Sequence, residues 1–172
     1  MTGPSVDFSE FFAATWARLF PTTYGVAGSA GDAEEALQTA FAKAYRHWSR
    51  ISQLDEPVAY VRRMAVNEAL TAHRRSRRRT AALQELLDHQ VTPDEIDRGA
   101  ERVDAWAAVL TLPPRQRAVL VLRYYEGMTE AQIAETLGCR PGTVKSQASA
   151  ALANLRARFP DLDPTAVEGE HP

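Results

Sequence analysis

The feature that most constrains the fold is that no stretch of the sequence alternates apolar and polar residues as a half-buried β-strand requires. β-branched residues do not gather in runs, and Ala, Leu, Arg, Glu and Gln dominate the 172 residues. These residue types favour helices, and apolar positions recur at three- and four-residue spacing. We therefore predict an all-α protein.

Three amphipathic helices are predicted in the first half of the chain. The first runs over about residues 7–26, and Pro21 is expected to bend it or end it early. The second begins like a capping box, with Asp32 followed by Glu35. The third begins at Pro57, because proline suits the first helical turn, and it continues into an arginine-rich stretch. The apolar stripe of the second helix consists of Leu37, Phe41 and Trp48, together with Ala44 or Tyr45.

Charge is segregated along the chain, although the formal net charge is only −2. Residues 62–79 carry seven arginines against the single acid Glu68, a local charge of +6 that suits a polyanion. Arginines near a helix end also complement the helix dipole, but five of them within residues 74–79 repel one another more than that role requires. The tract therefore predicts contact with nucleic acid.

Two small helical domains joined by an acidic linker are expected. The linker carries a net charge of −4, and its length allows the two domains to sit well apart. The predicted boundaries are residues 5–79 for the first domain, 80–103 for the linker, 104–159 for the second domain and 160–172 for an acidic tail.

The second domain is predicted to contain four short helices, of which the last two form a helix-turn-helix. Thr129 caps the third helix and Gly138 makes the turn. Ile133, Leu137 and Val144 fill the shared core. An ordinary helical hairpin with a glycine turn is the alternative. In a helix-turn-helix, the N-terminal part of the second helix enters the major groove. The residues expected to face DNA are Arg140, Thr143, Lys145, Ser146, Gln147 and Ser149.

The sequence argues against metal, redox and catalytic chemistry. Cys139 is the only cysteine, so an internal disulfide and a multi-cysteine zinc site are excluded, and the four histidines are scattered. The sequence shows no cluster of carboxylates or histidines of the kind that would indicate an enzyme, and no cofactor is expected. Apolar runs fall short of the roughly 20 residues that span a bilayer, and the first residues lack the pattern of a signal peptide. A non-enzymatic, cytoplasmic protein is expected.

Three stretches taken together resemble the extracytoplasmic-function (ECF) sigma factors, the minimal two-domain specificity subunits of bacterial RNA polymerase. The stretches are Asp32 to Phe41, Pro57 to Arg63 with Asn67 and the following arginines, and Leu112 to Gln147. The run Arg123-Tyr124-Tyr125-Glu126 and the sequence from Lys145 to Ser149 are most similar to the SigE-like subgroup.

This resemblance implies that the chain binds core polymerase, at the β′ clamp helices and the β flap, and promoter DNA at the −10 and −35 elements. The loop 51–56 and the helix after Pro57 would capture an unstacked base, for which a cationic track with an aromatic platform is suitable. Core binding is implied for Asp32, Glu34, Glu35 and Gln38. Binding to the −10 element is implied for Tyr60, Arg63, Asn67, Arg74, Arg75, Arg77 and Arg78, and binding to the −35 element for the six residues of the helix-turn-helix named above.

The sequence departs from the family pattern at five positions. Tyr60 and Thr71 stand where Trp and Asp are frequent, and Arg140 replaces a frequent serine. Gln147 and Ala150 stand where many members carry Arg. Fewer cations near the duplex predict weak −35 binding outside the holoenzyme.

Two alternatives remain at this point. A conventional helix-turn-helix regulator with an N-terminal helical ligand or dimerisation domain explains residues 104–158 equally well, but it gives the arginine tract and the acidic helix no role. For regulation, sequestration by an anti-sigma factor and control through synthesis alone fit the sequence equally.

Overall fold

The computed structural model describes residues 7–87 and 105–160, and among these the side chains outside residues 73–87. Within these ranges every regular element is helical, so the all-α prediction is confirmed. The helices are α1 (Phe8–Ala27), α2 (Ala30–Arg46), α3 (Trp48–Ile51), α4 (Pro57–Leu87), α5 (Ala105–Leu110), α6 (Pro114–Leu120), α7 (Glu130–Leu137) and α8 (Pro141–Arg158), with a π-helical turn (Val121–Tyr125) after α6.

Helix α1 continues through its proline. The Asp7 side chain caps its start by accepting from the Ser9 N–H at 3.3 Å, and Gly28 ends it with a left-handed backbone, φ 91°. Of the two effects expected of Pro21, a bend or an early end, the early end is wrong, because α1 runs on to Ala27, close to the predicted range 7–26. Thr22, Thr23 and Val26 are buried in this last part. Their packing offsets the backbone hydrogen bond that proline cannot donate.

Helix α2 begins earlier than the capping-box pattern predicts. Ser29 is its N-cap, and the Ser29 hydroxyl accepts from the Asp32 N–H at 3.2 Å. Asp32 therefore lies inside the first turn, and the predicted start at Asp32 is wrong. Serine caps a helix as well as aspartate does, and the left-handed Gly28 reverses the chain immediately before it.

Helix α4 begins at Pro57 as predicted and runs to Leu87. Residues 80–87 are therefore helical where the linker was expected to begin. The rest of the predicted linker, residues 88–103, and the tail from residue 161 lie outside the described residues.

The first domain is formed by α1, α2 and α4, which pack against one another. Leu37, Phe41 and Val61 are buried between them. The sequence left open whether Ala44 or Tyr45 continues the apolar stripe of α2. Ala44 is buried, whereas Tyr45 is 65% exposed.

The second domain contains α5 to α8. Helix α6 is followed directly by the π-helical turn, whose end is marked by the Glu126 N–H bonding to the Val121 carbonyl at 3.1 Å. Leu120, Ile133 and Val144 are fully buried in this domain.

The two domains are in direct contact. One continuous cluster of buried residues contains Val26, Ala36 and Val66 of the first domain and Leu120 and Ile133 of the second. The sequence allowed the domains to sit well apart, but they share a core in this structure, with α1 and α4 facing α6 and α7.

Candidate functional site

The first candidate surface is the outer face of α2. Ala33, Ala36 and Leu37 face the core, so Glu34, Glu35 and Gln38 lie on the exposed side. Because the described contacts of Glu34 and Glu35 include no ion pair, this face presents negative charge to solvent.

Asp32 differs from the other three residues implied in core binding. It is half-buried, and its carboxylate accepts from the Ser29 hydroxyl at 2.9 Å. Its main local role is therefore at the start of α2, where a negative charge also complements the helix dipole.

The second candidate surface is a stripe on α4. Tyr60, Arg63 and Asn67 are spaced by three and four residues and so lie on one side of the helix. Tyr60 is 40% exposed. Beside the stripe is a cavity of about 410 Å³ that is open to solvent. The residues lining the cavity are Lys43, Tyr60, Arg63, Met64, Asn67 and Glu68.

The far end of this stripe contacts the second domain. The Asn67 side-chain amide donates to the Thr136 carbonyl of α7 at 2.9 Å, as well as to the Arg63 carbonyl at 2.8 Å. The Arg63 guanidinium lies 3.3 Å from the Glu135 carboxylate. The structure therefore brings Tyr60, Arg63 and Asn67 together, and α7 contacts the amide nitrogen of Asn67 and one terminal nitrogen of Arg63, whose side chain stays 44% exposed.

The predicted phosphate-binding arginines follow further along α4. Arg74, Arg75, Arg77 and Arg78 lie on the helical backbone between Pro57 and Leu87, and their side chains lie outside those that the structure describes.

The third candidate surface is the helix-turn-helix of α7 and α8. Thr129 and Gln132 form a reciprocal capping box at the start of α7. Gly138 makes the turn with φ 61°, and the Cys139 N–H bonds to the Ala134 carbonyl at 2.9 Å. Val144 is buried against Ile133 and Leu137, as predicted.

This turn presents the N-terminal half of α8 to solvent. Arg140, Lys145, Ser146 and Ser149 are exposed, and Thr143 and Gln147 are half-buried. Arg140 is the N-cap residue but makes no side-chain capping bond, so its guanidinium is not committed to the helix end. The Lys145 ammonium lies 3.7 Å from the Glu130 carboxylate and remains 69% exposed.

Arg117 joins the two domains, a role that no sequence pattern predicted. Only 4% of this residue is exposed. Its guanidinium donates to the Val26 carbonyl at 2.7 Å and the Ala27 carbonyl at 2.8 Å, both at the C-terminal end of α1, and to the Leu110 carbonyl at 3.0 Å. These acceptors include carbonyls that a helix end leaves without intrahelical partners.

Burial lowers the pKa of the Arg117 guanidinium, and the negative charge of Asp32 acts in the opposite direction. Arginine remains charged despite such a shift. The only signal in the sequence was an arginine immediately before the apolar run 118–122. Its partners on α1 are backbone atoms about 90 residues away, which no side-chain pattern reveals.

Other kinds of site are not seen among the described residues. Residues 7–87 and 105–160 contain no group of His, Cys, Asp and Glu side chains that could hold a metal ion. The same ranges contain no helix long and apolar enough to cross a membrane.

A helix-turn-helix with its second helix exposed on one all-α domain, and an exposed acidic helix face on another, suit a two-domain transcription protein that binds DNA. The comparisons give the family. The model for Sigma-70 region 2 matches residues 17–79, and the model for Sigma-70, region 4 matches residues 102–155.

Similar proteins cover almost the whole chain. The RNA polymerase sigma-E factor of Streptomyces antibioticus is 34% identical over 170 residues, which cover 98% of this chain and 94% of that protein. The ECF RNA polymerase sigma factor SigL of Mycobacterium tuberculosis is 31% identical over 162 residues, covering 92% of this chain and 89% of that protein.

A solved structure shares the fold. It is the sigma factor RpoE in complex with the anti-sigma factor NepR from Bartonella quintana, with a TM-score of 0.68 and 20% identity, covering 91% of this chain and 99% of that one.

The chain belongs to the sigma-70 family and is an RNA polymerase sigma factor of the ECF type. Sigma factors bind core polymerase and promoter DNA and direct transcription initiation. The alternative of a conventional helix-turn-helix regulator is not favoured, because the first domain matches region 2 of a sigma factor.

Proposed function

We propose that this sigma factor uses three separate surfaces in transcription initiation, each of which binds a different partner or promoter element. The exposed face Glu34, Glu35 and Gln38 docks on the β′ clamp helices. The stripe Tyr60, Arg63 and Asn67 captures the −10 element, and the arginine tract after it holds the upstream duplex. The N-terminal half of α8 binds the −35 element, while the second domain contacts the β flap.

The observation that carries the proposal is the cavity beside the α4 stripe. Tyr60 offers a ring face on which a base can stack. The Asn67 amide nitrogen already donates to the Arg63 and Thr136 carbonyls, and its oxygen can accept a hydrogen bond from a base edge. Lys43 and Arg63 supply positive charge at the same cavity. This combination of aromatic face, amide and cations suits an unpaired strand of DNA.

The −35 assignment is supported by the division of α8 into two faces. Val144 and Ala148 are buried, and Arg140 and Lys145 are exposed near the N-terminus of the helix. A recognition helix contacts base edges with this part of its surface. The serines at 146 and 149 add hydroxyl groups that suit either bases or phosphates.

On this proposal the chain acts in the cytoplasm as a non-catalytic subunit, because its task is to position polymerase on DNA. Sequestration by an anti-sigma factor stays one of the two alternatives for regulation, beside control through synthesis alone. Affinity purification from cells tests it, because recovery of polymerase alone would leave synthesis as the means of control.

The central experiment measures binding of the holoenzyme to a fluorescent single-stranded oligonucleotide that carries the non-template −10 sequence. Tyr60→Ala should weaken binding by about 1–3 kcal/mol, the usual contribution of one stacked base. Tyr45→Ala is the matched control, because Tyr45 is exposed on the same domain and does not line the cavity. Equal affinities for both variants and wild type would refute the −10 assignment.

A further inference from the structure

The cavity beside the α4 stripe has a second wall, formed by Lys43 of α2 and Glu68 of α4. Their ammonium and carboxylate groups form an ion pair that joins the two helices. We infer that this Lys43–Glu68 pair reads one base of the −10 element and selects guanine by its Watson–Crick edge. The inference rests on the proposed function of the α4 stripe and adds the identity of a base that the stripe binds.

Arg63 and the Lys43–Glu68 pair lie on opposite sides of the stripe. With 3.6 residues per turn, Arg63 is about 60° to one side of Tyr60 and Glu68 is about 80° to the other. The side chains of the Arg63–Glu135 ion pair are 44% and 76% exposed, and exposed pairs are weak. Arg63 therefore stays available to a phosphate. A strand whose phosphates lie on the Arg63 side turns its bases toward the Lys43–Glu68 pair.

Glu68 reads a different nucleotide from the one that stacks on Tyr60. The two residues are eight positions apart, which is about 12 Å along the axis of α4. Consecutive nucleotides of a stacked strand are about 3.4 Å apart, so this length holds more than one of them. Met64 lies about one turn from each residue and lines the same cavity, so its apolar side chain offers a surface for the second base.

The Lys43–Glu68 pair has the hydrogen-bonding pattern that guanine requires. A carboxylate has two oxygens that only accept, and an ammonium only donates. The Watson–Crick edge of an unpaired guanine has two adjacent donors, N1–H and the N2 amino group, beside the O6 acceptor. The Glu68 carboxylate can accept from both donors at once, as carboxylates do from arginine, while the Lys43 ammonium donates to O6.

The other three bases match this pattern less well. Adenine and cytosine each present one amino donor beside an acceptor nitrogen, so the second carboxylate oxygen faces a lone pair. Thymine has one N–H donor between two carbonyl oxygens, which meet the same repulsion. A site that hydrogen-bonds a base edge disfavours bases that leave its own polar groups unpaired. Because the cavity is open to solvent, we expect a preference of about tenfold, within the range of a good base contact.

The ion pair also joins α2 to α4, with side chains that are 50% exposed for Lys43 and 18% exposed for Glu68. A purely structural role predicts that breaking the pair weakens binding of every oligonucleotide alike. Base reading predicts instead that the loss is confined to oligonucleotides with guanine at one position. The two roles therefore differ in the base preference.

The test measures binding of the holoenzyme to fluorescent single-stranded −10 oligonucleotides in which each position in turn carries A, C, G or T. Inosine then replaces guanine at the preferred position. Inosine lacks the N2 amino group but keeps N1–H and O6, so it removes one donor from the edge that Glu68 reads. Wild type should bind inosine about fivefold less tightly than guanine, the equivalent of one hydrogen bond.

Two variants and a control separate the roles. Glu68→Gln keeps the shape but has one accepting oxygen, so it should bind guanine and inosine alike and lose the preference over the other bases. The double variant Lys43→Glu, Glu68→Lys restores an ion pair but moves the carboxylate to α2, so it should also lack the preference. Glu10→Gln is the matched control, because Glu10 is exposed on α1 and does not line the cavity. Far-UV circular dichroism verifies that each variant keeps its helices.

We expect a guanine preference in wild type and Glu10→Gln and its loss in both Glu68→Gln and the double variant. A preference that returns with the ion pair in the double variant would overturn the base-reading role. A holoenzyme that needs Tyr60 for binding but prefers guanine at no position would overturn it too, while the −10 function stands. If Tyr60→Ala binds the oligonucleotides as wild type does, the −10 function itself fails and the base-reading role fails with it.

Discussion

Replacing Arg117 by methionine removes the guanidinium but keeps much of the apolar stem. The carbonyls of Val26, Ala27 and Leu110 then lose their donors. Each buried carbonyl left unsatisfied costs about 1–3 kcal/mol. The variant also avoids the cost of burying a charge, so the net loss should be near the lower end of the sum, about 3–5 kcal/mol.

This loss is large compared with the total stability of a typical protein, about 5–15 kcal/mol. It should appear as a lower urea midpoint when unfolding is followed by far-UV circular dichroism. Arg117→Lys should recover only part of the loss, because a compact ammonium cannot reproduce the planar set of donors that reaches three carbonyls.

Arg115→Met is the control, since Arg115 is exposed on the same helix and its loss should change the free energy of unfolding by no more than about 0.5 kcal/mol. If Arg117→Met is as stable as Arg115→Met, the account of Arg117 as a connection between α6 and the end of α1 is refuted.

Three further predictions concern the other surfaces. Glu35→Lys should weaken binding to core polymerase about tenfold in a pull-down titration, because it reverses charge on the docking face. Glu10→Lys on α1 is the control and should not weaken binding. Equal affinities of the two variants would count against the docking face. Lys145→Ala should weaken binding to all −35 sequences alike and lower by about 1 the slope of the logarithm of the binding constant against the logarithm of the salt concentration. Arg140→Ala should lose about 1–3 kcal/mol of discrimination at one base position. An unchanged sequence preference would remove Arg140 from base recognition. Thr129→Ala should reduce the free energy of unfolding by about 1 kcal/mol because it removes the α7 cap, and an unchanged urea midpoint would contradict this.

The elements that sequence analysis located correctly are those set by local chemistry. Pro57 starts α4, Thr129 caps α7 and Gly138 makes the turn of the helix-turn-helix. In each case a single residue type meets a local backbone requirement, which a linear sequence displays directly.

The errors arise where contacts between distant residues decide the structure. Pro21 argues locally for a bend or a helix end, but Val26 and Ala27 after it are buried in a cluster that includes residues of the second domain. Arg117 resembles a surface charge until its backbone partners from α1 are known. Gly25 and Gly28 lie where a side chain would clash with residues of the second domain. The sequence alone does not show which glycines lie at such a close contact.

In vitro transcription on a promoter library, with core polymerase and the purified protein, tests whether this chain directs promoter-specific initiation. We expect transcripts from a limited set of promoters that share −10 and −35 elements. Tyr60→Ala should change which −10 sequences are used, and Arg140→Ala which −35 sequences are used, while Tyr45→Ala leaves both unchanged. Failure to direct core polymerase to any promoter, or promoter sets identical for all of these variants, would contradict this expectation.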